Sequence, residues 1–88
     1  MTDLYYKSLT LEQIYANPQI YAWNCLLYYR QFTQAQLLHF REYLEMPELI
    51  MFQNAATASF LKANFSKEIE DCLEVDWPDV EKYAKNRE

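Results

Sequence analysis

Seven carboxylates stand between Glu68 and Glu81, and no basic residue interrupts them. They are Glu68, Glu70, Asp71, Glu74, Asp76, Asp79 and Glu81, with Trp77 in their midst. Such a run offers two chemistries. Carboxylates held in unlike environments can work as general acid and base. Unpaired carboxylates on a surface can imitate nucleic-acid phosphates toward a basic protein and steer its approach. Nothing in the spacing sets two of them in distinct environments, so the second chemistry is the one expected. On a helix, Glu70, Asp71 and Glu74 would share a face opposite Ile69, Cys72 and Leu73. Glu70 and Glu74 would then repel across one turn, at about 0.2–0.5 kcal/mol. A competing account needs no partner: acidic residues complement the dipole of a helix start, and five of the seven fall near expected starts.

Aromatic residues form the second candidate set. Tyr28 and Tyr29 are adjacent, so on a helix they point about 100° apart and cannot both face one core wall. At least one is expected at the surface, as is part of the Tyr5-Tyr6 pair. Tyrosine and tryptophan are common interface anchors. Trp77 is read either as such an anchor inside the acidic run or as the joint between the last two helices.

The remaining reactive residues are sparse. His39 is the single histidine, and Cys25 and Cys72 lie 47 positions apart, which matches no zinc or redox spacing. The cysteines read as small apolar residues of a reducing compartment. Ser8, Ser59 and Ser66 lack a nucleophile context. No metal, no cofactor and no enzymatic activity are expected. Glycine is absent altogether, which removes the phosphate-cradling loops and the nucleophile elbow. The net charge of −5 disfavours nucleic acid and anionic membranes and favours a basic protein partner. The same charge also serves solubility.

The elements that must carry these residues follow from caps and prolines. Without glycine, tight hairpins lose their usual turn residue, and helices joined by short loops are the simplest outcome. Thr10 with Gln13 and Thr33 with Gln36 form capping boxes. The first opens a short helix ending near Asn17. Asn17-Pro18 opens a helix predicted to run to Gln31, apolar nearly all round and therefore central. The second box opens a helix to about Leu44, with Leu37, Leu38, Phe40 and Leu44 on its inward stripe and Arg41 at the stripe's edge. Met46-Pro47 restarts the chain as a helix to Ala63. Its small residues, Ala55 to Ser59, are expected to admit a neighbour closely. Ser66 is read as the N-cap of a helix over 67–75, and Asp76 as the cap of a last helix over 77–86. The two helices over 34–44 and 47–63 could be taken for a helix-turn-helix. The second opens with Pro47-Glu48-Leu49-Ile50-Met51-Phe52, which presents no base-reading side chain before Gln53.

The expectation is thus an all-α, compact single-domain bundle of five to six short helices spanning residues 1–88. Trp23, Leu27, Leu37, Leu44, Phe52, Ala56, Phe60 and Leu73 are predicted to be buried. The N-terminus shows no signal-peptide pattern and no stretch is long enough to span a bilayer, so a cytoplasmic protein is expected. Its expected function is to bind another protein: a small inhibitor of the immunity-protein, antitoxin or phage type that blocks the active cleft of a basic nuclease or nucleic-acid-binding effector. Glu70, Asp71, Glu74, Asp76, Asp79 and Trp77 would form the contact, with Tyr28 and Tyr29 as further candidates. The alternative is a non-catalytic helical subunit of a larger assembly, held by the tyrosine surface.

Overall fold

Helices in this chain stop early, and the way they stop organises the fold. The computed structural model describes the backbone of residues 2–88 and the burial of residues 5–88. Among the described residues there are eight α-helices, none longer than eight residues, and no strand. They are α1 (Thr2–Ser8), α2 (Leu11–Ala16), α3 (Trp23–Tyr29), α4 (Gln34–His39), α5 (Met46–Phe52), α6 (Ala58–Asn64), α7 (Ser66–Asp71) and α8 (Trp77–Ala84). Single 3₁₀ turns occupy Pro18–Ile20, Arg41–Tyr43 and Lys85–Arg87. The all-α class agrees with the sequence reading, whereas the count exceeds five or six because α1 lies outside the expected helices and the helix expected over 47–63 divides into α5 and α6. Among the described residues no helix is long and apolar enough to cross a membrane.

Helix starts behave as the sequence dictates. Thr10 and Thr33 each accept a hydrogen bond from the amide three residues on, and Gln13 and Gln36 reach back to complete both boxes. Asp76 does the same with Asp79, at 3.3 and 3.0 Å. Thr57 caps α6 by accepting from the Phe60 amide at 3.2 Å. Two expected caps fail. Asn17 makes no side-chain cap bond. Ser66 lies inside α7 and donates its hydroxyl to the Lys62 carbonyl, 2.5 Å away.

Helix ends need a different solution. About a third to a half of helices end on a residue at positive φ, usually glycine. This chain has no glycine, and no described residue takes positive φ. Long polar side chains from distant segments satisfy the last carbonyls instead. Gln53 donates to the carbonyls of Leu27 and Arg30, each at 2.7 Å, and accepts from the Phe32 amide at 2.9 Å. Gln31 donates to the Phe52 carbonyl at 2.8 Å. Arg41 donates to that of Asn64 at 2.5 Å. Arg87 donates to the carbonyls of Met51, Gln53 and Ala56 at 2.7–3.2 Å.

These bonds explain where the predicted helices divide. The expected helix over 47–63 breaks at Gln53, whose backbone turns extended and whose fully buried amide locks the end of α3. Ala55 and Ala56 thus lie in a connection rather than in a helix groove. The expected helix over 18–31 breaks at Tyr21 and Ala22, where tertiary bonds replace helical ones. The Ala22 amide donates to the Tyr6 hydroxyl at 3.1 Å, and the Trp23 indole donates to the Pro18 carbonyl at 2.8 Å. The helix after Thr33 ends at His39, with a 3₁₀ turn carrying the chain through Arg41.

The core is continuous and aromatic at one end. Trp23 packs on Phe40, centroids 4.9 Å apart, and stacks on Tyr43 at 5.9 Å. Leu26, Leu27, Leu37, Leu49, Ile50, Leu61 and Phe65 fill the centre without exposure. α5 lies between α3 and α8 and turns Leu49 and Ile50 inward, so the would-be recognition helix is a core element. Of the residues predicted to be buried, Trp23, Leu27, Leu37, Ala56 and Phe60 are, whereas Leu44 and Phe52 are half-buried. Leu38 stands 36% exposed, off the inward stripe. Leu73 is the plain reversal: it is fully exposed.

Candidate functional site

α7 explains Leu73. A helix end disfavours negative charge, and the stretch after Ile69 reads Glu70, Asp71, Cys72, Leu73, Glu74. No basic residue stands in the last turn. The helix stops at Asp71, and Cys72 takes an extended backbone with φ −82° and ψ 129°. Ile69 and Cys72 still pack inward, but the register that would have buried Leu73 is gone. The predicted face joining Glu70, Asp71 and Glu74 is also lost, because Glu74 lies beyond the helix in the connection over 72–76.

The acidic run therefore becomes a short helix, an extended connection and the first turn of α8. Glu70, Asp71, Glu74 and Glu81 are exposed and make no hydrogen bond or ion pair among the described residues. Asp76 and Asp79 are engaged in the capping box of α8, so their carboxylates already serve the backbone. Glu68 is engaged as well: Arg41 binds it at 2.7 Å. That hydrogen bond, the largest influence on it, holds the Glu68 carboxyl below its usual range. The run thus divides into three structural carboxylates and four without partners.

Trp77 is half-buried, packs against the core, and forms one wall of a groove between α6, α7 and α8. The groove has a volume of about 410 Å³; Ala58 and Val80 line it, with Lys62, Glu70 and Glu81. A second depression, of about 560 Å³, surrounds Arg41, Glu68 and His39. Its arginine is committed to Glu68 and the Asn64 carbonyl and lies 4.9 Å from the Phe65 ring centroid.

The tyrosines lie elsewhere. Tyr28 is 56% exposed and meets Phe52 edge-on at 4.8 Å. Tyr29 is half-buried beneath the Lys7 ammonium, 5.9 Å from its ring. Tyr6 is buried and Tyr5 exposed. His39 lies tilted against Tyr15 at the surface, ring centroids 4.9 Å apart. Both cysteines are free and half-buried. Among the described residues no three His, Cys, Asp or Glu side chains gather where they could hold a metal ion.

Sequence reasoning missed two residues of consequence. Gln53 continues the spacing of Leu49, Ala56 and Phe60, and that polar residue on an apolar stripe was the available signal. Leu73 carried no such signal, because its exposure depends on where α7 ends. No protein-family model, curated protein or solved structure matches this chain.

Proposed function

We propose that this chain is a small protein-binding inhibitor. It docks a basic protein through α7, the 72–76 connection and the start of α8, and blocks that protein's nucleic-acid-binding cleft. The observation that carries this reading is Leu73, a fully exposed leucine between the unpartnered carboxylates of Asp71 and Glu74. An apolar centre inside a charged rim is how protein interfaces are commonly built. The rim supplies long-range attraction and register, and the leucine supplies desolvation once contact is made. Glu70, Asp71 and Glu74 would stand where phosphates stand in the partner's cleft. Asp76 and Asp79 each commit one carboxylate oxygen to the α8 capping box, so they rank below the other three.

Affinity capture from the source cell tests the reading when two baits are run together. Wild type should retain a basic protein that the Leu73→Ser/Asp71→Asn/Glu74→Gln triple variant does not. That protein should lose its nucleic-acid binding in the presence of the wild-type chain. Equal capture by both baits, or a ternary complex with nucleic acid, would reject it.

The second reading, a helical subunit of an assembly, draws on Tyr28, which meets Phe52, and on Met51, the residue before Phe52, which is 38% exposed. An interface there would be apolar, tolerant of salt and sensitive to Tyr28→Ser.

A further inference from the structure

The groove beside Trp77 has a composition that selects its occupant. We infer that it receives a single arginine side chain of the basic partner; this rests on the docking reading above. Trp77, on α8, gives an aromatic wall, and Ala58 and Val80 add apolar surface from α6 and α8. Glu70 and Glu81 reach the groove from two different helices, and neither carboxylate has a partner among the described residues. The groove therefore joins apolar and aromatic surface to two carboxylates.

An apolar guest would meet two carboxylates it cannot satisfy. A small anion would meet repulsion from both. Lysine would satisfy the charge, but its compact ammonium stays strongly hydrated. Arginine suits the apolar, aromatic and acidic walls: its methylene stem lies on Ala58 and Val80, its planar guanidinium stacks on the indole, and its five donors serve both carboxylates. Lys62 is the one unfavourable neighbour, an exposed cation on the α6 side with no ion pair to either glutamate. Two carboxylates against one ammonium leave the groove net acidic.

The chemistry can be tested before any partner is known. The ¹⁵N-labelled protein is titrated with N-acetyl-arginine methylamide, and separately with the citrulline analogue, which keeps the shape without the charge. The arginine probe should shift the Trp77 indole N–H and the Ala58 and Val80 amides, saturating near roughly 10 mM, as suits one side chain. Citrulline should leave them unmoved. Glu70→Gln/Glu81→Gln should weaken binding about threefold or more, and Lys62→Gln should tighten it. Equal shifts with citrulline, or no effect of any of these substitutions, would overturn the assignment. A deca-lysine peptide separates this inference from the reading beneath it. If deca-lysine shifts the amides of Asp71 to Asp76 in a salt-dependent way while the arginine probe leaves Trp77 unmoved, the groove assignment falls and the docking face stands. If neither probe moves α7 or α8, both fall.

Discussion

Replacing Gln53 with methionine isolates the device that ends the helices. The substitution roughly conserves volume and removes three hydrogen bonds, those to the Leu27 and Arg30 carbonyls and from the Phe32 amide. Two of the three lie in buried surroundings, and the Arg30 carbonyl is part-buried. A buried polar group left unsatisfied costs about 1–3 kcal/mol. Counting the two buried groups in full and neglecting the third, Gln53→Met should lose about 2–6 kcal/mol. A chain of this length holds about 4–13 kcal/mol in all, so the variant falls between weakened and unfolded. Urea denaturation followed by tryptophan fluorescence reads the change, and the midpoint should fall by at least about 1 M. Gln53→Glu sharpens the test. It keeps the acceptor for Phe32 but sets a carboxylate against two carbonyl oxygens, which raises its folded-state pKa. Its stability should therefore be greatest at acid pH and decline as pH rises. A loss under about 0.5 kcal/mol for Gln53→Met would refute the claim that this side chain holds α3 and α5 together.

Other perturbations follow from burial and charge. Leu27→Ala empties a fully buried position on α3 and should cost about 2–5 kcal/mol by the same denaturation assay. Glu68→Gln removes the ion pair with Arg41, both of whose side chains are more than a third exposed, and should cost less than about 1 kcal/mol. Because the Glu68 pKa is depressed in the folded state, the stabilisation is present above the ordinary carboxylate range and is lost as pH falls through the folded value. The difference between wild type and Glu68→Gln should accordingly shrink on acidification and be insensitive to pH near neutrality.

What could be read from the sequence was mostly local. Thr10, Thr33 and Asp76 mark helix starts because a cap needs only the next three residues, and all three act as caps. Helix ends are not local here. With glycine absent, the carbonyls at the ends of α3, α5 and α6 depend on Gln53, Arg87, Gln31 and Arg41, residues 21 or more positions away. Periodicity along 47–63 continues through Gln53 unchanged, and only the tertiary bond shows why the helix stops. The candidate site shares this origin. The acidic run was plain in the sequence, but which carboxylates are spent on caps and on Arg41 was not. Leu73 would be a core residue only on a helix that continued through it, and α7 ends two residues before it.

Docking of a basic protein on an acidic face around Leu73 has a kinetic signature. Stopped-flow association of the captured partner with wild type and with the Glu70→Gln/Asp71→Asn/Glu74→Gln variant, over a range of ionic strength, tests it most directly. The wild-type rate should fall steeply with salt, and the variant rate should be slower at low salt and nearly flat, with an unchanged circular dichroism spectrum. Identical rates and salt slopes for the two proteins would contradict it.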